Sequence, residues 1–157
     1  MLIFGDMANT FSKINIHLVF AVKNRESLLP HEYLPQIHAY IAQTLRNLGH
    51  VPIIVGGIED HVHILFSYNI NQTIPEMVRT VKTAVTNFIN THRMLNYRFS
   101  WQRGYACFSY SQSQLPAVIN YIKNQEAHHN RHGFNDECRR LLDIFDVKYD
   151  PKYLFVD

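Results

Sequence analysis

His61 and His63 stand two residues apart with Val62 between them. On a strand, residues i and i+2 project from the same face, so both imidazoles point one way while Val62, Ile64 and Phe66 point the other. Two neutral nitrogen donors side by side suit a metal ion. Such a pair also arises on surfaces that hold nothing, and these two residues alone leave both readings open. A second group lies further along the chain. At about 100° per residue, Tyr121, Gln125, His128 and His132 share one helical stripe, beside an apolar stripe of Leu115, Val118, Ile119 and Ile122. A hydroxyl, an amide and two imidazoles aligned off the core face are unusual for packing. The plainer reading has Tyr121 laying its ring over the edge of the core with its hydroxyl in water.

Taken together, the two groups make chemical sense. Breaking a phosphodiester needs a nucleophile, a Lewis acid on the phosphate, and a pocket that orients both. A tyrosine hydroxyl ionises near pH 10 and needs assistance at neutral pH. A divalent ion polarises the phosphate oxygen and offsets the developing charge. Attack by the tyrosine keeps the bond as a phosphotyrosine, from which a strand can be rejoined. Gln125, one turn after Tyr121, brings a neutral oxygen donor to the same ion.

These groups need elements to hold them. Lys13 to Val22 alternates, with Ile14, Ile16, Leu18, Phe20 and Val22 on one face and Asn15 and His17 on the other, as in a half-buried strand. Residues 30–48 follow helical spacing through Leu34, Ile37, Ile41, Leu45 and Leu48, and Gly49 stands at the C-cap position. Val51 to Ile58 and His61 to Tyr68 form a hairpin about the Glu59-Asp60 turn. Thr73-Ile74-Pro75-Glu76 has the form of a capping box. It opens a helix with apolar residues at 74, 77, 78, 81, 85, 88 and 89. Phe99–Trp101 and Ala106–Tyr110 read as a strand interrupted at Gln102-Arg103-Gly104. A third long helix is expected from about Ser113 to Arg131, closed by Gly133, and a short one from Asp136 to Phe145. The implied class is α+β: an antiparallel sheet with helices on one face, on the ferredoxin-like or RRM-like split βαβ plan.

At 157 residues the chain is expected to form one domain, taken here as 7–157. Residues 1–6, ahead of Met7, are set outside the fold as an N-terminal extension. Hydrophobic residues at 46% and charged residues at 18% indicate a globular chain. No apolar run approaches the roughly 20 residues of a membrane helix, and the N-terminus lacks a signal-peptide pattern. Two cysteines exclude a disulfide framework and are read as reduced thiols of a cytoplasmic protein. A net charge of +2 is too small to establish a nucleic-acid partner. Arg79, Lys82, Arg98, Arg103 and Lys123 are candidate phosphate contacts, each equally at home on a solvated surface. Trp101, Tyr105 and Phe108 are candidate base-stacking rings, with core packing favoured for most of them.

Four ordered blocks resemble the single-tyrosine HUH transposases of the insertion-sequence 200/605 group. They are residues 7–25 with Ile16-His17-Leu18-Val19-Phe20, residues 59–65 around His61-Val62-His63, residues 101–111 from Trp101-Gln102-Arg103-Gly104-Tyr105, and Tyr121-Ile122-Lys123-Asn124-Gln125. The resemblance implies the HUH endonuclease fold, with Tyr121 as nucleophile and His61, His63 and Gln125 as ligands of Mg2+ or Mn2+. It implies cleavage and rejoining of single-stranded DNA at the ends of an insertion element, through a 5′-phosphotyrosine and a free 3′-hydroxyl, with recognition of hairpins near those ends. It further implies a prokaryotic cytoplasmic homodimer whose sites pair the histidines of one subunit with the tyrosine helix of the other. The alternatives are a domesticated relative that binds hairpins without transposing, and an HUH nuclease of replication or plasmid transfer.

Overall fold

The computed structural model describes residues 10–25, 27–129 and 133–152. The proposed extension, residues 1–6, lies outside the described residues. Four strands form one sheet in the order β2-β3-β1-β4, with every neighbouring pair antiparallel. They are β1 (Asn15–Ala21), β2 (Val51–Ile58), β3 (His61–Ser67) and β4 (Ala106–Tyr110). The helix α1 (Leu34–Asn47) connects β1 to β2, and α2 (Ile74–Thr91) connects β3 to β4. This is the expected split βαβ arrangement, with β3 returning between β1 and β2.

The local reasons are those the residue pattern suggests. Gly49 takes φ +86° just past α1, where a left-handed residue ends the helix, and the amide of His50 donates back to Leu45. The Thr73 hydroxyl accepts from the Glu76 amide at the start of α2. Glu59 and Asp60 close the β2–β3 hairpin, and Ile58 pairs with His61 across it. Leu18, Phe20, Val62, Ile64 and Phe66 then meet Ile37, Ile41 and Leu45 of α1 and Met77, Val81 and Val85 of α2 in the larger core.

The other face differs from expectation. Helices cover both faces of the sheet, and β1 is buried along its whole length where a half-buried strand was expected. A helix α3 (Leu115–Lys123) packs Leu115, Val118 and Ile122 on Leu65. A helix α5 (Phe134–Ile144) packs Phe134, Cys138, Leu141 and Leu142 on Val19, Ala21 and Phe108. Each such buried aliphatic or aromatic side chain contributes about 1.5–3 kcal/mol, enough to hold both helices down. The long helix expected from Ser113 to Arg131 is broken. Asn124 leaves the helical region at φ −98°, ψ 22°, and a short α4 (Gln125–His129) follows. The Phe99–Trp101 stretch contributes only a single bridge, Trp101 to Val22. Among the described residues, no helix is long and apolar enough to cross a membrane.

Candidate active site

Strand alternation sends His17, Val19 and Ala21 of β1, with His61 and His63 of β3, to the face under α3, α4 and α5. Val19 pairs with His63 and Ala21 with His61, which places both histidines on the inner strand β3, His61 at its hairpin end. Both are fully buried. Gly56 of β2, opposite His63, lets α3 come close. A Cβ there would stand 2.7 Å from the Ile122 methyl and 3.0 Å from its carbonyl oxygen. That approach brings Tyr121 edge-on to His63, with ring centroids 5.7 Å apart. Gln125, 1% exposed, reaches the same point from α4, its Oε1 3.0 Å from Nε2 of His61. The break at Asn124 therefore does not separate Tyr121 from Gln125.

A residue that the sequence reading passed over completes the group. Glu137 of α5 is 1% exposed, and its Oε1 lies 2.8 Å from Nε2 of His63 and 3.3 Å from Nε2 of His61. Ligand atoms of His61, His63 and Glu137 all fall within 4.8 Å of one another. The signal was available. Glu137 belongs to the stripe 134, 137, 138, 141, 142, the buried face of α5, where a carboxylate needs a partner.

Each imidazole is oriented from behind. His61 Nδ1 donates to Asp60 Oδ1 at 2.7 Å, leaving Nε2 toward the centre. His63 Nδ1 lies 2.7 Å from Nε2 of His17, whose Nδ1 is 3.3 Å from the Tyr110 hydroxyl. For Nε2 of His63 to offer a lone pair to a cation, its Nδ1 must carry the proton and donate to His17. His17 then donates from Nδ1 to Tyr110. Burial, reinforced by His63, pushes the His17 pKa well down, so it serves this relay as a neutral ring.

The charges converge on the same point. Burial opposes protonation of His61, but the hydrogen bonds to Asp60 and Glu137 outweigh it and raise its pKa to about 9. Burial, followed by a hydrogen bond to Glu137 and that carboxylate's charge, pushes the Tyr121 hydroxyl up from its ordinary range, while Gln125 and Arg140 act in the opposite sense. Two imidazoles, a carboxylate and an amide oxygen, all buried and convergent, fit a divalent cation.

The remaining candidates are dispersed. Arg79, Arg98, Arg103 and Lys123 are exposed. Lys123 follows Tyr121 by two residues, whereas Arg79 lies on α2, across the sheet. Lys82 donates to the carbonyls of Gln102 at 2.9 Å and Gly104 at 2.8 Å, and burial lowers its pKa to about 8. Phe108 is buried, Trp101 packs on Phe20 and Phe99, and Tyr105 is exposed. The side chains of His128 and His129, and the whole of His132, lie outside the described residues.

A buried His–His–carboxylate group on an antiparallel sheet, with a tyrosine and an amide brought to it by a covering helix pair, could hold a metal ion and sets a tyrosine hydroxyl at its edge. The model of the IS200-like transposases matches residues 10–125, and the chain belongs to that family. Two solved structures share the fold. A Deinococcus radiodurans R1 protein classed as a transposase is 21% identical, with a TM-score of 0.60 over 74% of this chain and 94% of that one. A REP-associated tyrosine transposase bound to a REP hairpin is 13% identical, with a TM-score of 0.55 over 80% of this chain and 74% of that one. No match to a curated protein was found.

Proposed function

We propose that this chain cleaves and rejoins single-stranded DNA at the ends of an insertion element, with Tyr121 as the nucleophile. The observation that carries this reading is the meeting of the Tyr121 ring with His63 and of its hydroxyl with Glu137 and Gln125, all within one chain. His61, His63, Glu137 and Gln125 would hold Mg2+ or Mn2+. When bound, such an ion polarises the scissile phosphate and offsets the charge that develops on it.

The residues supply the rest. The Tyr121 oxygen attacks phosphorus and the bond to the 3′ oxygen breaks. The 5′-phosphate stays on the tyrosine, and the departing 3′ oxygen takes up a proton, in net terms the one the phenol gives up, and leaves as a hydroxyl. Glu137, already hydrogen-bonded to the phenol, is placed to take its proton. Attack by a 3′-hydroxyl on the phosphotyrosine reverses the step, so rejoining needs no added energy source. Asp60 and His17 keep Nε2 of each metal-facing histidine pointed at the centre.

Hairpin-bearing DNA is the substrate we favour, since a neighbour of the same fold is bound to a REP hairpin. The intact set of His61, His63, Gln125 and Tyr121 argues for cutting over a hairpin-binding relative without chemistry. It argues less against an HUH nuclease of replication or transfer. As for assembly, the Tyr121–His63 contact supports a site made within one chain. A homodimer of such chains keeps each tyrosine at home, in contrast to the exchange that the family resemblance suggests.

Tyr121→Phe removes one hydroxyl and leaves the ring against His63. It is expected to retain fold and DNA binding and to lose the covalent adduct on a denaturing gel with labelled single-stranded DNA. An adduct at the unmodified level would move the nucleophile elsewhere, with Tyr110 and Tyr105 next to be tested.

A further inference from the structure

A cavity of about 350 Å³ opens beside the metal-binding centre, walled by Val19, Phe108 and Phe134, with Gln102, Arg103 and Tyr105 along one side. It shares a wall with the active site. Phe134 lies 4.7 Å, centroid to centroid, from the His61 ring, and Ala21, another lining residue, pairs with His61 across the sheet. The volume falls within the range of small-ligand sites.

The polar side of this cavity is built with care. The amide of Gln102 donates to the Ala21 carbonyl at 2.9 Å, which fixes the residue at the end of β1. Lys82 holds the next turn through the carbonyls of Gln102 and Gly104, and its ammonium sits 5.3 Å from the centroid of the Phe20 ring. Gln102 is only 7% exposed, yet its side-chain amide makes no hydrogen bond to any described residue. Neither of its polar atoms is among the sealed, unpaired ones, so the amide opens onto accessible space, and the cavity is the space it lines. An amide fixed by its backbone at a cavity wall is set to hydrogen-bond what enters, with one donor side and one acceptor side.

We propose that this cavity seats one unpaired nucleobase next to the scissile phosphate, with the Gln102 amide reading its edge. The inference rests on the single-strand cleavage reading above. Aromatic and apolar walls receive the flat face of a base, and an amide offers a donor and an acceptor side by side. That pair complements adenine, which presents a donor amine beside an acceptor nitrogen. Arg103 stands at the rim, exposed, where the phosphate of the same nucleotide would pass.

The test uses the full chain, Mn2+ and a random-sequence single-stranded oligonucleotide pool. Covalent adducts and released 3′-hydroxyl fragments are sequenced to read the bases on either side of the cut. Unmodified protein is expected to favour one base, adenine, at one flanking position, by on the order of 5- to 150-fold. Gln102→Ala should flatten that position and leave the others unchanged. Gln102→Glu keeps the volume and removes the donor, so it should lose or redirect the same preference even if the alanine variant folds poorly. Abundant adducts with an unchanged base profile in both variants would overturn the base pocket alone. No adducts from the unmodified protein would remove the cleavage reading and the pocket with it.

Discussion

The two faces of the sheet are made by the same strands and do opposite things. On the α1–α2 face, Leu18, Val62, Ile64 and Phe66 are sealed in a dry apolar core. On the other, His17, His61 and His63 occupy equivalent depth, and Glu137 and Gln125 are driven in to meet them. The first face follows ordinary packing economy. The second buries ionisable groups whose mutual hydrogen bonds offset the cost of desolvation without making the fold an obvious gainer. Stability is therefore expected to reside on the α1–α2 face and metal affinity on the α3–α5 face, and substitutions can separate the two.

The largest effect is expected at the centre. Glu137→Gln preserves volume and a hydrogen-bonding oxygen but removes the charge between His61 and His63. Mn2+ affinity by titration calorimetry should fall by more than the roughly 10- to 100-fold typical of an outer partner, while the melting temperature moves little. A large loss of stability with affinity intact would erase the contrast between the faces. On the dry side, Phe66→Ala should cost about 3–5 kcal/mol in denaturant unfolding, and Mn2+ affinity of the protein still folded should be unchanged. Coupled loss of both would show that the two faces are not separable.

A smaller effect is expected behind the centre. His17→Phe removes the acceptor for Nδ1 of His63, and Mn2+ affinity should fall about 10- to 100-fold. His17→Gln, whose carbonyl can still accept that proton, should recover most of the loss. Equal defects in both variants would make His17 a packing residue and not an orienting one.

Much of this was legible in the residue pattern because it is local. The hairpin followed from Glu59-Asp60 between two apolar runs, the start of α2 from Thr73 and Glu76, and the shared side of His61 and His63 from strand alternation. The rest depends on contacts distant along the chain. Asn15 and His17 have the polarity of a solvent-facing edge, and only the arrival of β4 and α5 buries them. Asn124 carries no strong breaking signal, so the helix looked continuous through Gln125. Glu137 stands on the apolar stripe of α5, which marks a carboxylate in need of a partner, but which partner it meets is set only when α5 folds back over β3.

The central claim is that one chain assembles a working site from its own Tyr121 and its own histidine pair. The most direct measurement mixes Tyr121→Phe and His61→Ala chains under conditions of proven subunit exchange, or co-expresses them, and assays cleavage of labelled single-stranded DNA. A site made within one chain carries one lesion in every copy, so the mixture should remain inactive, as each variant is alone. Recovery of cleavage on mixing would require the tyrosine of one chain to act at the histidines of another, and would contradict the account.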